Sequence, residues 1–195
     1  MQTTINAMNG VNLGRLSATI AAIRAQPDLA KFNFRLSNNW VDGGHNRSII
    51  REFYGAGQED TTRRQTFVYD NDEPEVLLGM DQAPNPAEFV LHALAGCLTT
   101  SLVYHAAARG YEIKKASCEL EGDFDLRGFL GIEPFVRNGY KEIRVKFLIE
   151  GNFSEDQKEE ILKLGPAFSP VFDIIKNAVP VKVSLDAGAS KAEAA

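Results

Sequence analysis

A chain of 195 residues is long enough for one domain with its own core, or for one domain and an arm. Apolar residues make up 44% and charged residues 24%, an ordinary globular balance. The formal net charge of -5, with no long basic run, argues against nucleic acid as a partner. No uninterrupted apolar run reaches the ~18 residues of a membrane span, and no basic segment followed by an apolar one opens the chain as a signal peptide would. Two cysteines without an export signal point to a reducing, cytoplasmic setting and to free thiols.

In chain order, residues 5–26 predict a first helix, with Leu13, Leu16, Ile20 and Ile23 at helical spacing and Pro27 as its stop. Residues 1–30 are therefore read as an N-terminal helical arm, 31–186 as the main domain and 187–195 as a flexible tail. Residues 31–41, 48–54 and 65–70 alternate as strands, separated by the turn residues Gly43-Gly44 and the break Gly55-Ala56-Gly57. Three antiparallel strands are the economical arrangement.

The acidic loop from Asp70 to Pro74 then leads to one long helix. Asn85 is its N-cap, Pro86 suits the first position, Glu88 completes a capping box and Gly110 ends it. Phe89 to Leu98 is apolar on nearly every side, which marks a helix buried in the middle of something.

Beyond Gly110, residues 113–125 read as a strand with Ala116, Cys118, Leu120 and Gly122 on one face. A loop follows over 126–138, and then a strand over 140–150 with Ile143, Val145, Phe147 and Ile149 inward. Ser154 with Gln157 opens a charged helix that Gly165-Pro166 should interrupt; 169–177 is a further helical piece and 179–185 a last strand. The order defines an α+β protein with mainly antiparallel sheet. One such sheet cannot cover a helix that is apolar all round, so a second copy of the chain is the expected cover, giving a homodimer.

Cys97, near the centre of the long helix, is the first chemical candidate. It is read either as a nucleophilic or redox thiol or as a small packing residue beside Ala93 and Gly96. It lies beyond the reach of the helix N-terminal dipole. An activating cation must therefore come from another element, and Arg47 and Arg51 on the second strand are the arginines best placed for it. Glu88, nine residues earlier, points to the opposite side of the helix. Cys118 reads as core. The three histidines have no metal-ligand spacing, and no phosphate-binding glycine loop or nucleophile elbow is present.

The run Pro84-Asn85-Pro86-Ala87-Glu88, continued by His92-Ala93-Leu94-Ala95-Gly96-Cys97-Leu98, resembles the central helix of the OsmC/Ohr family, the osmotically inducible proteins and organic hydroperoxide reductases. Glu73-Pro74, Leu78-Gly79, Ala106 to Gly110, Glu121 to Gly128, Ser169-Pro170-Val171 and Val179 to Val183 extend the resemblance. It implies an OsmC-like fold, antiparallel sheets wrapped around two long central helices in an intertwined homodimer. It also implies a peroxidatic Cys97 prepared by an arginine and a glutamate; no motif fixes the arginine, for which strand position alone offers Arg47 and Arg51, and Glu88 is the glutamate nearest the family's position. The expected substrate is a small peroxide, and the expected reductant a dithiol of lipoyl type, with no bound cofactor and no membrane.

Two departures qualify that expectation. The family's second cysteine precedes a proline in the late helix, where this chain has Ser169-Pro170. The family's glutamate directly follows the Asn-Pro, where this chain has Ala87, with Glu88 one residue on. The expected activity is therefore that of a one-cysteine peroxidase using an external thiol. The alternative is a non-catalytic dimer that binds a small apolar or sulfur-containing ligand.

Overall fold

The computed structural model describes residues 7–186. The first segment departs from the expected helix over 5–26. Asn9 and Gly10 take φ of 53° and 77°, the backbone of a two-residue hairpin turn, and join β1 (Ala7–Met8) to β2 (Val11–Asn12). Helix α1 (Leu13–Ala25) begins only after that turn, with the Asn12 side chain accepting from the Arg15 amide at 2.9 Å. Ile5 lies outside the described residues. The Asn9 side chain bridges the Tyr111 carbonyl (3.0 Å) and the Ile113 amide (2.8 Å), which ties the hairpin to the second half of the chain.

Each of the first two predicted strands is broken in two. The first divides into β3 (Asn33–Phe34) and β4 (Ser37–Asp42). The second divides at Arg51-Glu52 into β5 (His45–Ile50) and β6 (Phe53–Gly55). One antiparallel sheet of this half runs β4-β5-β8, where β8 is Phe67–Asn71; another runs β3-β6-β7, where β7 is Gln58–Asp60. Strand β7 has no counterpart among the predicted elements. It forms because Ala56 and Gly57, both at positive φ, make a hairpin turn of what the glycines alone mark as a break. A Cβ on Gly55 would lie 2.3 Å from the Phe32 ring, so the glycine is what lets that ring lie across the strand.

Asp72 then organises the approach to the long helix. Its carboxylate is 1% exposed and accepts from the backbone amides of Glu73, Met80 and Gln82 at 2.8–3.2 Å, clasping the loop on itself. Gly79 is required inside the clasp, since a Cβ would sit 1.8 Å from the Glu73 carbonyl oxygen.

Helix α2 (Pro86–Ala108) follows with both halves of its capping box formed, and Gly110 closes it at φ +83°. Strands β9 (Ile113–Asp123) and β10 (Glu142–Gly151) pair antiparallel, with Leu120 opposite Val145 and Cys118 opposite Phe147. The loop between them holds a single turn, α3 (Leu126–Phe129).

Helix α4 (Glu155–Phe168) opens on the expected Ser154–Gln157 box but is not interrupted at Gly165-Pro166. Its last turn is carried through the missing proline N–H by the Ser169 amide, which bonds the Gly165 carbonyl at 3.0 Å. Packing helps: Gly165 is buried against the Leu98 backbone of α2. Helix α5 (Pro170–Lys176) is capped by Ser169. The strand expected over 179–185 joins no sheet among the described residues. No edge of the described strands receives it, and Val183 and Leu185 stay above nine-tenths exposed.

The core is Leu102, Ala106, Ile161 and Leu164, where α2 crosses α4, with Phe147 and Ile149 of β10 against it. The rest of α2 is only partly covered. By length and composition it is the one helix among the described residues apolar enough to cross a membrane; here it packs against α4, α5 and β9. The molecule is α+β with antiparallel sheets throughout.

Candidate functional site

Cys97 is half-buried at the border of two faces of α2. On one side Leu94, Leu98 and Leu102 are buried. On the other Val90, Ala93, Gly96, Thr100 and Tyr104 form an exposed stripe of mostly small residues. The thiol is free, and no hydrogen bond reaches its sulfur among the described residues. Cys118 is also free. Its sulfur lies 3.6 Å from the Thr99 hydroxyl, on the sheet side of the helix and well round from Cys97.

The charged candidates are placed elsewhere in the chain. Glu88 caps α2, its Oε2 accepting from the Asn85 amide at 2.9 Å. At the helical rise it stands about 13.5 Å along the axis from Cys97. Arg47 pairs in register with Asp70 on β8, with Nε and Nη2 at 2.7 and 3.1 Å from its carboxylate oxygens. That hydrogen-bonded pair holds Asp70 below the usual carboxylate range and Arg47 above its ordinary value; His45, 3.2 Å from Asp70, adds to the effect on the carboxylate. Arg51 is exposed between β5 and β6, with Nε 3.8 Å from Glu52, and its carbonyl accepts from Arg63. Within one chain, none of the three bonds to the cysteine.

The junction of α4 and α5 reaches the helix one turn beyond Cys97. Ser101, four residues on, donates to the Phe168 carbonyl at 3.3 Å. His105, four residues further, stacks on the Phe168 ring at 3.6 Å, and Arg109 donates to the His105 carbonyl. Burial, with Arg109 nearby, pushes the His105 imidazole below its ordinary pKa, which favours its neutral form. Ser169 itself is 3% exposed, its hydroxyl accepting from the Phe172 amide at 3.1 Å. The sequence places Ser101 one turn from Cys97 and His105 off the cysteine's face, but nothing local shows that Phe168 ties Ser101 and His105 together.

A second feature lies at the start of α2. A cavity of about 430 Å³ is bounded by Glu73, Glu88, Phe124, Leu126, Phe129 and Tyr140. The Tyr140 hydroxyl donates to the Ala87 carbonyl at 2.9 Å, which fixes its ring in the wall.

These observations define a class: an α+β protein built on a long central helix that carries a half-buried cysteine, with an antiparallel pair on one side and small antiparallel sheets before it. The sequence model of the OsmC-like proteins matches residues 79–184, and the chain belongs to that family. Solved structures share the fold. An OsmC-like protein from Mycoplasma pneumoniae superposes with a TM-score of 0.57 at 16% identity, over 75% of this chain and 89% of that one. An organic hydroperoxide resistance protein, OsmC, from Legionella pneumophila gives 0.51 at 15% identity, over 73% and 90%. No curated protein matches the chain significantly.

Proposed function

We propose that this protein is a thiol-dependent peroxidase that reduces organic hydroperoxides or hydrogen peroxide through Cys97, in the cytoplasm and as a homodimer. The observation that carries the reading is the position of Cys97. It is a free, half-buried thiol in the family's central-helix motif, at the edge of an apolar stripe that its own chain leaves uncovered. The structural relative from Legionella that is named for organic hydroperoxide resistance supports the same direction.

The chemistry balances with one cysteine. The Cys97 thiolate attacks one peroxide oxygen, the O–O bond breaks, and the alcohol or water leaves with a proton, giving Cys97 sulfenic acid. Ser169 supplies no second sulfur, so an external thiol condenses with the sulfenic acid, releasing water and leaving a mixed disulfide. A second thiol, or the other arm of a lipoyl-type dithiol, then frees Cys97 and is itself oxidised to disulfide.

The thiolate needs a positive neighbour. Since Arg47 and Arg51 do not bond to Cys97 in their own chain, the second subunit delivers one of them. The Coulombic field of that guanidinium stabilises the thiolate; Glu88, bonded into the cap of α2, takes no part in this step.

The test is oxidation of the reduced protein by cumene hydroperoxide and by hydrogen peroxide, wild type beside Cys97→Ser, with a sulfenic-acid trap read by mass spectrometry. Oxidation orders of magnitude faster than that of a free thiol, trapped at Cys97 and absent in the variant, is expected. Oxidation no faster than a free thiol sinks the peroxidase and leaves the ligand-binding dimer.

A further inference from the structure

From the cavity at the start of α2 we infer a second, non-catalytic site that binds a small organic cation, an ammonium group carried on an aromatic or alkyl body. At about 430 Å³ the cavity is of the size that holds a small ligand. Its walls are built rather than incidental. The rings of Phe124 and Tyr140 meet edge to face at 5.8 Å and 86°. The Tyr140 ring is anchored through its hydroxyl to Ala87. It also lies across Gly122, where a Cβ would come within 2.6 Å of the ring, so the glycine is what admits the aromatic wall. Phe129 adds a third ring. Aromatic faces carry negative potential and attract cations that have shed water.

The charge of the cavity has the same sign. Two carboxyl side chains, Glu73 and Glu88, are on its lining, and no lysine or arginine lines it. Glu88 is committed to the helix cap, where it offsets the partial positive charge of the α2 N-terminus. The Glu73 carboxylate makes no hydrogen bond or ion pair among the described residues, and is left as uncompensated negative charge at the rim. Aromatic walls with a surplus carboxylate select a cation with an apolar body over an anion, and over a neutral molecule of the same shape.

The probe is benzyltrimethylammonium, set against its uncharged isostere neopentylbenzene and against benzoate. Binding to the full-length protein is followed by ligand-detected NMR and by titration at two salt concentrations. Saturable binding of the cation is expected, about tenfold or more tighter than that of the isostere, weakened by salt, with no binding of benzoate. Glu73→Gln lessens the preference for charge severalfold and keeps the apolar binding, while Phe124→Ala weakens both. Should Phe124→Ala fail to fold, Glu73→Gln, which fills the same volume, decides alone. Equal affinity for cation and isostere, or no saturable binding of the cation, overturns the site. Peroxide oxidation of Cys97 is unchanged in Glu73→Gln, so this outcome is independent of the peroxidase test.

Discussion

At the scale of single residues the consequential substitution is Ser169. In the resemblance it stands where a resolving cysteine would be, and the structure shows what the serine does instead. Its hydroxyl caps α5, and it sits beside Phe168, whose carbonyl Ser101 holds one turn from Cys97. Proximity to the cysteine is therefore kept while the sulfur is absent. Ser169→Cys is predicted to restore a two-cysteine cycle. Peroxide treatment should yield a disulfide between Cys97 and the introduced thiol, seen as loss of two hydrogens and as a sulfenic-acid trap that no longer labels Cys97. The lost cap costs about 1 kcal/mol, a fall of roughly 2–4 °C in Tm for a chain of this size. If sulfenic acid persists in the variant with no disulfide, the α4–α5 junction does not reach Cys97 during turnover.

At the scale of elements, α2 is positioned by the loop that precedes it, and Asp72 holds that loop. The hydrogen bonds from the Gln82, Glu73 and Met80 amides, the first the strongest influence, lower the Asp72 pKa in the folded state. A carboxylate with a depressed folded pKa contributes stability that is fully present above its unfolded value, near 3.9. That stability drains away as the pH falls through the folded value. Asp72→Asn is therefore predicted to lower Tm at pH 7 and to lessen the fall in Tm between about pH 5 and pH 2, measured by thermal unfolding across that range. A variant whose Tm falls with acid as steeply as the wild type would show that other carboxylates govern the acid limb.

Little of this clasp is legible in the sequence. Asp70 to Pro74 reads as a solvated acidic turn, because nothing local says that Asp72 will turn inward to amides as far away as Gln82. The caps of α2 and α4 are legible because a capping box is complete within four residues. The inward face of β9 is legible for a similar reason: alternation is local. The proline in α4 misleads because a helix end held by packing on another element, here Gly165 on Leu98, overrides the local cost of one missing hydrogen bond. The site is legible only in part. The motif singles out Cys97, while the surroundings of Arg47 depend on strand register with Asp70.

At the scale of the whole molecule, the exposed area is far too large for a lone globule. The chain exposes 15021 Å², against about 9,200 Å² for a monomeric globule of its mass. Trp40, Phe34 and Val183 are among the large apolar side chains left open. The proposed intertwined dimer would bury part of that surplus, and in it Gly96 is the expected meeting point of the two central helices. Glycine inside a helix is destabilising by roughly 1 kcal/mol relative to alanine. Among the described residues, nothing beyond its own stretch of helix lies within 4 Å of where a Cβ would stand, so no contact between elements there requires it. A closely approaching backbone from a second subunit would. Gly96→Leu is therefore predicted to leave the secondary structure by circular dichroism intact while shifting the mass from dimer to monomer in light scattering coupled to size exclusion. In the proposed arrangement the arginine that prepares Cys97 arrives with the second subunit, so the same variant should lose rapid peroxide oxidation although its cysteine is untouched. Gly96→Ala, a smaller intrusion, should fall between the two. A dimeric Gly96→Leu protein that still oxidises at the wild-type rate would place the subunit contact on another face, and with it the source of the activating charge.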